Sequence, residues 1–301
     1  MNQRKRYREI LARPGLDLVP GAYDALSARI MEYCGFEAIS AGGYAAVGSM
    51  YAEVDGGQGN VRDYADHYAR LCDAVDLPVY VDADTGFGGV HNVRRMVRAF
   101  ERAGVAGFFV SDQVFPNRCG YLPGKAIVPV QEALARLNAA LDARTDPDMI
   151  IAARTDAYHL EGLDAAIERC RLFREAGVDA VKPMGADSYE DSVKVFQALK
   201  GPHSYTMSHA AGKAKLTLQQ IEELGYATCT FPSAALFAAA GGVKRAMDAL
   251  KRDRSFARVE DEICALEDYY DIVRLRRHND LEQGWVEKAE AMAAKGKKAA
   301  E

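Results

Sequence analysis

The 301-residue chain has no Cys-x-x-Cys pair and no linker rich in Pro, Gly or Ser. It also has no apolar run approaching the ~18 residues that a membrane helix needs. Its six cysteines, at 34, 72, 119, 170, 229 and 264, are scattered. That spacing excludes a disulfide framework and fits free thiols in a reducing compartment, so a cytoplasmic location is expected. The first residues, MNQRKRYREILARPG, are basic but lack an apolar core, which predicts no secretory leader. Charge of either sign is barely in excess, with a formal net charge of -5. Nucleic-acid binding usually brings a basic surplus, and none is present. The short basic groups read as solvated helix faces and tails. They are Arg4, Lys5, Arg6 and Arg8; Arg274, Arg276 and Arg277; and Lys295, Lys297 and Lys298. With no linker to divide it, residues 1–301 read as one domain, long enough to bury a core without disulfide or metal staples.

What the chain does have is repetition. Eight short apolar runs recur: Asp17–Pro20, Ala38–Gly43, Pro78–Asp84, Gly107–Gln113, Met149–Ala157, Ala180–Gly185, His203–Met207 and Ala227–Ser233. Most are continuous rather than alternating, as strands buried on both faces should be. Between them lie helical patterns. Val93–Ala103 puts Val93, Met96, Val97 and Phe100 on one face, and Leu163–Ala176 and Gln219–Leu224 behave alike. Gly35, Gly104, Gly177 and Gly225 follow such helices, where a helix-ending glycine turns the chain into the next strand. The phrases MEYCGFEAIS, FERAGVAGFFVSD, FREAGVDAVKP and IEELGYATCTFP are variants of this one unit. Eight such units predict a closed (β/α)8 TIM-type barrel rather than an open doubly wound sheet. After Ser233 the pattern is helical, and residues 240–301 read as a C-terminal helical extension. Its Leu266, Tyr269, Tyr270, Ile272 and Val273 are apolar groups that a closed barrel does not need, which suggests an oligomer interface.

In this fold the active site lies at the C-terminal ends of the strands. Polar residues cluster there. Asp82 and Asp84, two apart at the end of the third run, should face the same way. Two such carboxylates repel unless a cation lies between them or one is protonated. Oxygen ligands of this kind suit Mg²⁺, with Mn²⁺ as an alternative; a helix cap is the plainer reading. Arg154 ends the fifth run, placed either to clamp a substrate carboxylate or to pair with Asp156. Cys119 lies in the loop FPNRCGYLPGK beside Arg118 and near Lys125, cations that could lower its pKa. It is a candidate acid, base or nucleophile. His209, after the seventh run, is a candidate acid, base or ligand, or a structural histidine.

Several ordered motifs resemble the isocitrate lyase / phosphoenolpyruvate mutase superfamily. They are VDADTGFG at 81–88, Asp112-Gln113, Arg118-Cys119-Gly120 and ARTDA at 153–157, with GAYDALSARI at 21–30 and FPSAAL at 231–236. The resemblance runs from about residue 6 to residue 250 and is nearest to the 2-methylisocitrate and 2,3-dimethylmalate lyase-like members. It implies a (β/α)8 barrel, Mg²⁺, an enolate of a small oxo acid, and a homotetramer that exchanges a C-terminal helix. By position it makes Asp82 and Asp84 metal carboxylates, Asp84 the direct ligand, and Asp55 a further acid near the metal. Ser40, Ala41 and Gly42 resemble the turn that binds the substrate carboxylate, and Arg154 its clamp. Gly120, Tyr121 and Thr206 are expected to touch substrate. The loop Asn117–Lys125 is expected to close over it and carry Cys119 to the reacting carbon. The chain departs from the family's pattern at Ser111 and Met184, where a Glu is usual. It also departs at Thr206 and His209, near a usual Asn and Glu. Asn117 and Tyr121 replace the Lys and His that flank the loop cysteine in the lyases.

The expectation is therefore a Mg²⁺-dependent carbon–carbon lyase acting on a small 2-hydroxy di- or tricarboxylate, with no nucleic-acid or membrane partner. Cys119, Arg154, Arg118 and His209 are its candidate catalytic residues. The alternatives are oxaloacetate-type decarboxylation, phosphonate C–P chemistry, or a catalytically altered member. A scaffold barrel that only binds would need none of Asp82, Asp84, Cys119 and Arg154 together.

Overall fold

The computed structural model describes residues 2–119, 124–208 and 215–298. All eight expected strands form, each inside its apolar run. They are β1 (Asp17–Pro20), β2 (Ile39–Ala41), β3 (Val79–Asp82), β4 (Gly107–Ser111), β5 (Ile150–Thr155), β6 (Ala180–Pro183), β7 (Ser204–Thr206) and β8 (Thr228–Phe231). The helices of the first half are α1 (Gln3–Ala12), α2 (Ala25–Tyr33), α3 (Gly43–Tyr51), α4 (Val61–Ala74), α5 (Val90–Ala103) and α6 (Val130–Ala143). Then follow α7 (Tyr158–Glu161), α8 (Leu163–Glu175), α9 (Tyr189–Ala198), α10 (Leu218–Glu223), α11 (Ala234–Asp253), α12 (Leu266–Ile272) and α13 (Leu275–Lys298).

Every ladder is parallel, in the orders β2-β3-β4-β5-β6 and β1-β8-β7, and a bridge between Gly21 and Ser40 links β1 to β2. This is the expected α/β TIM-type barrel. Among the described residues no ladder joins β6 to β7. The expected face of α5 is buried at Val93, Met96, Val97 and Phe100. Gly35, Gly104, Gly177 and Gly225 take φ of 85°, 87°, 102° and 89°, the left-handed turn that a helix-ending glycine supplies.

The basic N-terminus differs from its sequence reading. Helix α1 buries Tyr7 and Ile10 in a cluster with Val19, Ala38, Ala106 and Ile150. Its arginines are not a solvated face. Arg4 donates to the Val105 carbonyl at 3.0 Å and pairs with Asp146 at 2.7 Å, and Arg8 pairs with Asp179 at 2.8 Å. Amphipathic spacing could not show that the polar side of this helix would meet loop carbonyls and acids from elsewhere in the chain.

Two compact units are distinguished, 1–239 and 240–301, with the boundary inside α11. In the second, Leu266, Tyr269 and Tyr270 are exposed, whereas Ile272 is buried. Among the described residues no helix is long and apolar enough to cross a membrane.

Candidate active site

β3 ends at Asp82, so strand alternation does not by itself orient Asp84. A turn does so instead. Asp84 sits at φ 47°, in the left-handed region uncommon for a side-chain-bearing residue. Its backbone N–H donates to Asp82 Oδ1 at 2.8 Å. Gly43 N–H donates to Asp82 Oδ2 at 3.2 Å. A methyl group on Gly43 would lie 3.3 Å from each of Asp55 Oδ2, Asp82 Oδ2 and Tyr64 Oη. These three oxygens therefore converge on one glycine. The Asp55 loop reaches this point because Gly57, at φ 79°, lets its backbone press on that of Asn117, where any Cβ would meet the Asn117 carbonyl oxygen at 2.6 Å. Asn117 in turn donates to Asp84 Oδ1 at 3.1 Å.

Three buried carboxylates so close together resist ionisation. Burial and the Asp82 charge push Asp55 up to about 6. Burial, then Asp82 and Asp55, hold Asp84 well above the usual carboxylate range. Burial also raises Asp82, against the pull of Arg154. Asp55 Oδ1, Tyr64 Oη and Asn117 Oδ1 are buried without a hydrogen-bond partner. Orphaned oxygens in an acidic cluster fit a hard cation with its waters. Among the described residues no three His, Cys, Asp or Glu side chains form a ready cage for an ion. Mg²⁺ does not need one, since it is usually bound through one or two carboxylates and keeps several waters.

Beside the acids begins α3. Gly42 is its N-cap and contributes no side-chain cap, so beyond Gly43, whose N–H is given to Asp82, the next N–H groups of the first turn remain available with the positive end of the helix dipole. Ser40, Ala41, Gly42, Gly43 and Tyr44 all line one cavity of about 100 Å³ with Asp55 and Asp82.

Across the cavity stands Arg154, at the end of β5. Both expectations for it meet here. Its Nε and Nη2 grip Asp156 at 2.9 Å each, yet it still lines the cavity. Against burial, which would lower it, Asp156 holds the Arg154 pKa above its ordinary value. Burial would raise Asp156, but Arg154 draws it down to about 2. Gln113 and Ser111 also approach Asp156, at 3.2 and 3.4 Å, and Lys125 lies 3.4 Å away. Ser111 thus faces this network and does not line the cavity, whereas Met184 does.

Cys119 is buried and lines the cavity. Gln113 fixes its neighbour from both sides, accepting from Arg118 N–H at 3.1 Å and donating to the Arg118 carbonyl at 3.2 Å. Gln113 is itself held by Arg136 of α6, which donates to its carbonyl at 2.9 Å. Arg118 is exposed and is not among the cavity's lining residues. Thr206 is one shell removed, with its hydroxyl 3.1 Å from that of Thr230, which lines the cavity. Gly120, Tyr121 and His209 lie outside the described residues.

Sequence reading singled out neither Tyr44, Lys182 nor Thr230 for the site, though each lines the cavity. Lys182 left a signal, since it is a lone charge within the apolar sixth run. Burial and the Arg154 charge push it down to about 8.

A family profile described as phosphoenolpyruvate phosphomutase matches residues 7–252. The chain is 32% identical to 2,3-dimethylmalate lyase of Eubacterium barkeri over 285 residues, 95% of this chain and 99% of that one. It is 33% identical to 2-methylisocitrate lyase of Aeropyrum pernix over 300 residues, 96% of each. Among solved structures it resembles oxaloacetate acetylhydrolase in complex with the inhibitor 3,3-difluorooxalacetate, at a TM-score of 0.87 and 27% identity, covering 94% of this chain and 97% of that one.

Proposed function

We propose, for a chain that belongs to the phosphoenolpyruvate phosphomutase family within the isocitrate lyase / PEP mutase superfamily, cleavage of a small 2-hydroxy di- or tricarboxylate of the methylisocitrate or dimethylmalate kind. The enzyme is of the carbon–carbon lyase type, as its lyase relatives are. The observation that carries the finer reading is the meeting of Cys119, Arg154, the α3 N-terminus and the acids Asp55 and Asp82 around one small cavity.

Asp84, with Asp82 and Asp55 around it, would hold Mg²⁺ or Mn²⁺. When bound, the ion supplies positive charge against the negative charge that develops as the bond breaks. The free N–H groups of α3, with Ser40, bind the substrate carboxylate, and Arg154, kept rigid by Asp156, orients it. In retro-aldol cleavage a base takes the 2-hydroxyl proton, the C–O becomes C=O as the C–C bond breaks, and a 2-oxo acid and an enolate result. Cys119 Sγ gives the enolate carbon its proton, in a buried position where bulk water does not compete. Gln113 is a positioning residue that keeps the cysteine segment against the cavity wall.

The likeness to oxaloacetate acetylhydrolase favours a second reading, cleavage of a four-carbon acid of the oxaloacetate type. Both readings are tested by one assay on a panel of 2-hydroxy and 2-oxo di- and tricarboxylates, with and without Mg²⁺. Metal-dependent release of pyruvate from a 2-hydroxy acid is expected. Release of oxalate or CO₂ from oxaloacetate alone would transfer the assignment to the second reading.

The extension 240–301 serves assembly. Leu266, Trp285 and Met292 are 57, 64 and 74% exposed, large apolar groups of the kind that neighbouring subunits cover. A homotetramer with an exchanged C-terminal helix is expected by light scattering at micromolar concentration, and a monomer there would refute it.

A further inference from the structure

β6 holds Lys182 in register with Arg154 of β5. Both cations stand over one ring, Lys182 Nζ at 5.6 Å and Arg154 Cζ at 5.8 Å from the centre of Phe109. Their partners differ. Arg154 has Asp156 at 2.9 Å, whereas among the described residues Lys182 has no carboxylate within 4.0 Å and no hydrogen bond at Nζ. Lys182 is partly buried; an ammonium that loses part of its water costs free energy unless something of opposite charge meets it, and a like charge on the next strand adds to that cost. The protein therefore holds a cation with no carboxylate in contact among the described residues, the charges of Asp82 and Asp156 reaching it only from a distance.

The position of Lys182 indicates where a contacting counter-charge would come from. Lys182 and Met184 line both the main cavity and a second recess of about 60 Å³. The recess lies at the seam where β6 and β7 have no ladder, and Ser204 and Thr206 also line it. Ser204 Oγ is buried there without a partner. The recess is well above the space one water needs, and it admits a carboxylate.

We infer that Lys182 receives a second carboxylate of the substrate, with the first at the α3 N-terminus, and so selects dicarboxylic over monocarboxylic acids. The inference rests on the reading of this cavity as a 2-hydroxy-acid site. It assigns the residue that measures the substrate's far end, which that reading leaves open.

The test is calorimetric binding of two stable probes in the presence of Mg²⁺, malate and 2-hydroxybutyrate. The two share the 2-hydroxy-carboxylate head and differ in the far carboxylate. Wild-type protein should bind malate about ten- to a hundredfold more tightly, the range of one charge-assisted hydrogen bond to a buried group. Lys182→Met should remove most of that preference while leaving 2-hydroxybutyrate binding within about twofold. Lys182→Arg, which keeps the charge, should restore much of the preference. Thermal melting of each variant confirms that it is folded. Equal loss for both probes would give Lys182 a structural role or a contact to the common head, and would overturn the inference while sparing the 2-hydroxy-acid reading. Equal binding of the two probes by wild-type protein would also overturn it. Failure of wild-type protein to bind either probe would remove the underlying reading, and the inference with it.

Discussion

Cys119→Ser should lower turnover by about two orders of magnitude or more, the scale of a positioned acid or base, and change binding of a product-like acid far less. The serine occupies nearly the same space, so the buried wall at 6% exposure stays packed. What changes is the acidity of the proton on offer, because a hydroxyl is a far weaker acid than a thiol. Steady-state kinetics on the best substrate found, beside direct binding of pyruvate or oxalate, separates the two effects. Near-normal turnover of the serine form would remove Cys119 from the chemistry and move the assignment toward the oxaloacetate-type reading, which does not need it. A companion change, Gln113→Ala, should lower turnover with Cys119 intact, because it releases both hydrogen bonds on the Arg118 backbone.

The second large effect concerns the acids. Asp84→Asn should reduce turnover by about a hundredfold or more and yet stabilise the metal-free protein by on the order of 1 kcal/mol, the usual sign when a functional group is held against its own preference. Burial and the Asp82 and Asp55 charges are what make Asp84 costly to ionise. The same logic fixes a pH dependence. An acid whose folded pKa lies above its unfolded value favours the folded state while it is protonated. The contribution of Asp55 to metal-free stability is therefore present in full below about pH 4, near the unfolded carboxylate value. It is lost as pH rises toward about 6, the value to which burial and Asp82 lift Asp55. Saturating Mg²⁺ should reverse that loss, since ion binding to the folded form adds stability by mass action. Thermal melting across pH 4–7, with and without Mg²⁺ or Mn²⁺, reads both effects. A melting temperature indifferent to either ion, together with full turnover of the Asn variant after chelation, would refute the metal site.

How much of this was legible in the sequence depended on whether the signal was local. Apolar runs and helix-ending glycines are local consequences of burial on both faces and of left-handed turns, so eight strands and their order could be read directly. Strand ends were legible too, and with them the placement of Asp82, Arg154 and the Ser40-Ala41-Gly42 turn. The cavity joins these to Cys119 and Asp55 from distant stretches of chain. Expectations based on periodicity alone fared less well. Alternation was expected to aim Asp84, but the strand stops first and a φ of 47° aims it. The arginines of α1 were read as solvated because amphipathic spacing records which side is polar, not what that side will meet.

By itself, then, the sequence determined the barrel, its strand order and the residue types gathered at its mouth, because each is written in neighbours a few positions apart. Tertiary structure alone decided that Arg154 is gripped by Asp156 yet still faces the cavity, that Gln113 clamps the cysteine segment, and that Lys182 stands beside Arg154 over Phe109 with no carboxylate in contact among the described residues. Ladder register and barrel curvature bring Lys182, Arg154 and Phe109 together from tens of residues apart, while the Arg154–Asp156 and Gln113–Arg118 pairs, two and five positions apart, depend on how the backbone aims each side chain. Charge pairing depends on separations of a few ångströms that no spacing along the chain records.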